Sequence, residues 1–131
     1  MMSACTVYMK RNPIKTWRNK CDALLTPIVK KLFPLCFLCG GETEVAHHHV
    51  HKSKSTALRY VLANLIPLCG RCHVKLHHNE SYWASVIVER KGIEWWRTLQ
   101  REGNKTVDAN LAFFKENYEQ LLKYEKETTI T

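Results

Sequence analysis

The sequence predicts an α+β fold that is mostly helical, and three observations predict it. Apolar residues recur at helical spacing near both ends, residues 35–51 read as short and β-like, and two Cys-x-x-Cys pairs stand 29 residues apart. The 131 residues and 15.3 kDa fit one domain spanning 1–131, since single cores commonly support roughly 100–150 residues. Three segments divide it: a basic helical segment 1–35, a Cys- and His-rich centre 36–78, and C-terminal helices 79–131. Apolar residues make up 45% and charged residues 24%, the balance of a globular chain. A core of this size gains from a staple, which the cysteines can provide.

Asn12-Pro13 reads as an N-cap with proline at the first helical position, where its missing N–H is not needed. Ile14, Trp17, Cys21, Leu24 and Leu25 follow at helical spacing and predict a helix over 13–25. Thr26-Pro27 is a second cap or a kink, and 28–33 continues as helix until Pro34. A turn at Gly40-Gly41 precedes a strand around 44–50, and 52–62 is a polar loop. A short helix from Cys69 or Gly70 carries Cys72, His73, Leu76 and His77. Ser81 can cap the next helix, whose apolar face is Tyr82, Val86 and Ile87 and which Gly92 closes as C′. Residues 93–99, with Trp95 and Trp96, form another. Over 107–126, Val107, Leu111, Phe114, Tyr118 and Leu121 are spaced four, three, four, three. That seam predicts packing against the N-terminal helices, with a homodimer seam as the alternative.

The richest apolar run, 60–69, is interrupted by Asn64 and Pro67, so no stretch approaches the roughly 18–20 residues of a membrane span. Residues 1–10 lack the basic start, apolar core and cleavage site of a secretory signal, and a cytoplasmic protein is expected. In that compartment paired cysteines bind metal more readily than they form disulfides. The net charge is +8, and it is uneven: 1–35 holds 7 basic and 1 acidic residue, 36–78 holds 5 and 2, and 79–131 holds 8 and 9. A basic first half points to a polyanion, most simply nucleic acid.

Cys36, Cys39, Cys69 and Cys72 can close a tetrahedral thiolate set around a structural Zn²⁺; redox pairs or buried thiols are the alternatives. Cys5 and Cys21 have no close-spaced partner, and Cys21 falls on the apolar helix face. All seven histidines lie between His47 and His78. His73 and His77 project from one helix face and suit a shared ion, with His47 or His48 as a third ligand. Adjacent strand residues point to opposite faces, so one histidine can hold metal while its neighbour handles a proton. That division suits hydrolysis.

In order along the chain, Cys36-x-x-Cys39, Ala46-His47-His48-His49-Val50-His51-Lys52-Ser53 and Asn64-Leu65-Ile66-Pro67-Leu68-Cys69-x-x-Cys72-His73 resemble the HNH, or ββα-metal, nuclease motif within a four-cysteine, treble-clef-like zinc module. The flanks, 17–32 and 82–92 with the terminal helix, resemble phage and prophage recombination endonucleases of the NinG/Rap type. The resemblance implies His48 as general base, His47 and His73 on the catalytic metal, His77 as a further ligand, and Asn64 holding the base or its loop. The triple His47-His48-His49 also permits His48 as ligand and His49 as base. His51 stands where the family usually has proline. A carboxylate-free set suits Mn²⁺, Ni²⁺ or Zn²⁺ better than Mg²⁺, and all four stay open. Lys52, Lys54, Arg59, Arg71 and Lys75 are candidate phosphate contacts. Trp83, Trp95 and Trp96 belong to the core or stack on exposed bases.

The function expected is a metal-dependent DNA endonuclease, on branched recombination intermediates or as a duplex nickase, and the resemblance implies products with 5′-phosphate and 3′-hydroxyl ends. The alternatives are a non-catalytic zinc module that binds DNA or protein, as a recruitment factor or inhibitor would, and an enzyme on RNA.

Overall fold

The computed structural model describes residues 12–130, with side chains to Glu127. Cys5 and the first part of the basic N-terminal segment lie outside the described residues. Helix α1, Pro13–Leu32, begins as the sequence predicts: Asn12 Oδ1 accepts from the backbone N–H groups of Ile14 at 3.1 Å and Lys15 at 3.3 Å. Thr26-Pro27 does not start a second helix, because α1 runs through Pro27. The carbonyl four residues earlier belongs to Ala23, and both residues are exposed, so water can take the bond that Pro27 cannot give. Pro34 then stops the helix.

The first β-like stretch does not form a hairpin with the second. Residues 35–42 make one bridge, Leu35 to Glu42, around a turn in which Gly40 has φ 78°. Strand β1, Val45–His48, pairs antiparallel with β2, Leu65–Leu68, in the register Val45–Leu68, Ala46–Pro67, His47–Ile66 and His48–Leu65. Every residue of β2 is buried, so its sequence lacks the alternation that marks a half-exposed strand. Pro67 lacks an N–H, yet its carbonyl accepts from Phe37 N at 2.8 Å and ties the cysteine turn to the sheet.

Helix α2, Gly70–His78, starts where expected and lies against β1. Helix α3, Glu80–Lys91, starts one residue before Ser81 without a side-chain cap. Gly92, at φ 102°, breaks into α4, Ile93–Gly103. Helix α5, Leu111–Ile130, begins after Val107, because Asn110 Oδ1 accepts from Phe113 N at 2.9 Å and fixes the first turn there. Among the described residues, no helix is long and apolar enough to cross a membrane.

Two apolar clusters meet at β2. In one, Leu65 joins Cys21, Leu25, Ile28 and Val29 of α1 with Phe114 and Leu121 of α5. Trp17 meets Tyr118 edge to face at 5.3 Å, and the Cys21 thiol donates to Phe114 O at 3.2 Å. The apolar seam of the last helix is thus spent inside the chain. In the other, Ile66 and Leu68 pack with Cys36, Cys72, Leu76 and Ile87.

Asp22 fastens the loop before β2 to α1. Its carboxylate accepts from Arg59 Nε at 3.1 Å, Arg59 Nη2 at 2.7 Å and Tyr60 Oη at 2.9 Å. Burial raises the Asp22 pKa, but the hydrogen bonds from Arg59 and Tyr60 and the charges of Arg59 and Lys52 outweigh it and leave it below the ordinary value. The neighbouring Cys21 thiol is pushed up to about 11, chiefly by burial, and stays neutral beside it. Asp22→Ala should cost about 2 kcal/mol at pH 7, the scale of hydrogen bonds to a charged group. A depressed folded-state pKa gives stability that is complete above the unfolded-state value and is lost as pH falls through the folded one. Urea titrations of both proteins at pH 7 and pH 3 should therefore show the gap narrowing in acid, and a constant gap would disprove the role of the charge.

Candidate metal centres

The two cysteine pairs are each shaped by local backbone. In the first, Cys36 N donates to Gly41 O at 2.6 Å, Gly40 N to Cys36 O at 2.9 Å, and Gly41 N to Cys39 Sγ at 3.4 Å. A Cβ on Gly41 would lie 3.3 Å from that sulfur, so the tight approach favours glycine. In the second, Cys69 is the N-cap of α2 and its sulfur accepts from Cys72 N at 3.4 Å. The four sulfurs lie within 4.8 Å of one another, with Cys39 and Cys69 at 3.6 Å. Four thiolates at about 2.3 Å from a tetrahedral zinc stand about 3.8 Å apart, so the donor set fits that ion. Burial pushes the Cys36 thiol up, but N–H groups of Cys39, Cys69 and Leu38 bring it down to about 6. Burial and the neighbouring sulfurs push Cys72 up to about 12. A dication removes that conflict between clustered thiolates.

The second cluster comprises His47, His73 and His77, whose ring nitrogens also lie within 4.8 Å of one another. His47 is the buried residue of β1, while His73 and His77 extend one turn apart from α2. The His73 and His77 Nε2 atoms are 3.0 Å apart. Two nitrogens at about 2.1 Å from one ion stand roughly 3.0–3.4 Å apart, so this pair also fits. Glu80 Oε1 lies 2.9 Å from His77 Nδ1; a carboxylate only accepts, so Nδ1 carries the proton and Nε2 offers its lone pair. Burial, then the His73, His77, His51 and His49 rings, lower His47 to about 3, and burial and His77 lower His73. Neutral rings are what a metal requires.

Glu80 is the residue that sequence reasoning missed. It also lies 3.6 Å from His51 Nε2, and its signal was its place three residues beyond His77 at the start of α3.

His48 lies across the strand from His47. Its Nε2 is 2.9 Å from Arg59 O, and because a carbonyl only accepts, the neutral ring keeps its lone pair on Nδ1. Burial lowers its pKa, the Arg59 carbonyl partly offsets this, and Lys52 and Arg59 lower it further. The His49 ring lies 4.9 Å from Trp95 and 5.4 Å from Trp96, and burial with His51 lowers it to about 4. Asn64 is fully buried. Its Oδ1 accepts from Val50 N at 2.8 Å, its Nδ2 donates to Val50 O at 3.0 Å and Leu58 O at 3.3 Å, and its carbonyl accepts from His49 N at 2.9 Å. The loop leaving β1 is thus held from 49 to 58 by one side chain and its own backbone.

Of the basic candidates, Lys52, Lys54, Arg71 and Lys75 are exposed. Lys75 sits over the Trp83 ring at 5.4 Å. Arg59 departs from the expectation of a phosphate contact, since its fork is committed to Asp22. Trp83, Trp95 and Trp96 are half-buried, and Trp95 Nε1 donates to Ala63 O at 2.9 Å.

A two-stranded ribbon and one helix, stapled beside a four-thiolate site and carrying three convergent imidazoles, define a ββα metal module. Residues 36–79, about a third of the chain, match the family model described as HNH endonuclease. Such a module points to nuclease or nucleic-acid-binding function. No curated protein and no solved structure matches the chain.

Two outcomes follow from the clusters. Cys69→Ser should lose one zinc per chain by elemental analysis and melt far below the wild type, because structural zinc contributes about 10–16 kcal/mol of apparent binding energy against about 5–15 kcal/mol of domain stability. An unchanged melt would remove zinc from the fold. Glu80→Gln should weaken Ni²⁺ or Mn²⁺ at the imidazole cluster by about 10–100-fold in calorimetric titration, as for other partners of ligating histidines.

Proposed function

We propose that the chain, working as one unit over 1–131, is a metal-dependent endonuclease that hydrolyses phosphodiester bonds in DNA. The observation that carries this reading is the opposition of His47 and His48 on one strand: the first converges with His73 and His77, and the second keeps an acceptor nitrogen outside that set. His47, His73 and His77 would hold the catalytic ion, Mg²⁺, Mn²⁺, Ni²⁺ or Zn²⁺, with the three neutral nitrogens favouring the last three. Such an ion, when bound, supplies charge stabilisation to the attacked phosphate and the departing 3′ oxygen.

His48 acts as general base through Nδ1, with the Arg59 carbonyl fixing its ring, and takes the proton of the attacking water. Asn64 keeps the loop beyond His48 in place. The cysteine cluster holds structural Zn²⁺ and does no chemistry. Lys52, Lys54, Arg71 and Lys75 contact backbone phosphates, and Arg59 acts through Asp22 as a positioning residue. The products carry 5′-phosphate and 3′-hydroxyl ends. Branched recombination intermediates are the substrate, with duplex nicking as the simpler activity, and the cytoplasm is the place of action. The second reading is a non-catalytic zinc module binding DNA or protein, which the four-cysteine site and the exposed Lys52, Lys54, Arg71 and Lys75 would serve without His48.

A labelled four-way junction and the matching linear duplex, each with Mg²⁺, Mn²⁺ or Ni²⁺, separate the two. Metal-dependent cutting is expected, and His48→Ala should slow it by about 100-fold or more while DNA affinity stays within about twofold, since a general base contributes roughly 10²–10⁴. Cutting by the variant within a few fold of wild type would move the base to His49. Binding without cutting would leave the zinc-module reading.

A further inference from the structure

A cleft of about 340 Å³ opens between the loop that follows β1 and helix α4. Its deep part is formed by the buried side chains of Leu58 and Leu99, its flank by the half-buried rings of His49, His51 and Trp96, and its mouth by the exposed Lys54, Gln100 and Asn104. The volume falls at the lower end of small-ligand sites, roughly 300–1,000 Å³. The cleft adjoins the imidazole cluster, because the His51 ring that borders it is 6.3 Å from the His47 ring. Among the described residues, the Gln100 and Asn104 amides and the Lys54 ammonium make no hydrogen bond, so donors and acceptors stand unspent at the mouth.

A purely apolar ligand would leave those amides without partners. A paired base cannot enter, since its edge is used and its faces are stacked. A flat heteroaromatic ring with its own donors and acceptors, joined to a phosphate, satisfies all three parts at once: rings for its faces, amides for its edge, a lysine for its anion.

We infer that this cleft receives an unpaired nucleotide next to the phosphate presented to the imidazole cluster, which makes DNA with an unpaired nucleotide the preferred substrate. The inference rests on the nuclease reading and decides between its two substrates. A nucleotide already unpaired costs less to extrude than one taken from a duplex, so a branch or bulge is bound in preference to a perfect helix.

The test uses the zinc-loaded full chain without any other divalent ion, and two probes: a duplex with one unpaired 2-aminopurine, and the same duplex fully paired. The bulged probe should bind about tenfold more tightly, with 2-aminopurine fluorescence quenched on binding, as expected for a base stacked on protein rings. The double variant Gln100→Ala/Asn104→Ala, at two exposed positions, should reduce the affinity ratio to about one and remove the quenching, with an unchanged circular dichroism spectrum. Equal affinity of the wild type for both probes, or a ratio that survives the double substitution, would overturn the pocket. In a parallel assay with Mn²⁺ added, cleavage of the paired duplex alongside equal affinities would sink the pocket and leave the nuclease. A bulge preference without any cleavage would sink the nuclease and leave the pocket.

Discussion

The register of β1 against β2 is the constraint on which the rest depends. Side chains in a strand alternate, so a slip of one residue would carry His47 out of the imidazole cluster and put His48 in its place. A ribbon of four residues per strand cannot resist that slip by its own hydrogen bonds. It is resisted from both sides of β2, because Leu65 packs with α1 and α5 while Ile66 and Leu68 pack with the cysteine turn and α2. Reversing β2 would expose two fully buried cores at once. Asn64 adds a second lock where β1 ends, through its bonds to both backbone groups of Val50.

The same arrangement governs the charges. Histidines crowded into one module would repel one another if protonated, and their burial keeps His47, His49 and His73 below the ordinary imidazole range. Neutral nitrogens can then share an ion without first losing protons. Glu80 supplies the fixed negative charge, but it faces Nδ1 of His77 rather than the space between the Nε2 atoms. It therefore sets the tautomer and leaves the ligand set carboxylate-free. Arg59 shows the opposite use of charge. Its guanidinium closes a half-buried triangle with Asp22 and Tyr60, while its carbonyl holds His48, so a basic residue inside the module serves its geometry.

Much of this was legible in the sequence, where local chemistry fixes the outcome. The cysteine pairs, the i, i+4 histidines on α2 and the Asn12-Pro13 start carry their geometry in their spacing. The two strand partners were not legible. Strand β2 is buried on both faces and contains Pro67, so neither alternation nor propensity marks it, and Gly40-Gly41 looks like a hairpin turn although it closes the first cysteine turn. Pro27 misled for a related reason, since its tolerance depends on the exposure of Ala23, a tertiary property. Glu80 and Asp22 escaped because a carboxylate on a helix surface is ordinary until the residue it faces is known. Arg59 looked like its basic neighbours for the same reason.

The two donor clusters differ in what surrounds them. The cysteine cluster draws four donors from two tight backbone turns and needs nothing further to complete a tetrahedron, so an ion there has no position left for substrate. The imidazole cluster supplies three donors, two of them on partly or fully exposed residues of α2, and so leaves coordination sites for water or a phosphate oxygen. Each centre anchors the other. Helix α2 begins at a thiolate of the first and carries two imidazoles of the second, while β2 joins the cysteine turn through Pro67 and fixes His47 through Ile66. Loss of the closed site would therefore disperse the open one, whereas loss of an imidazole would leave the thiolate scaffold standing.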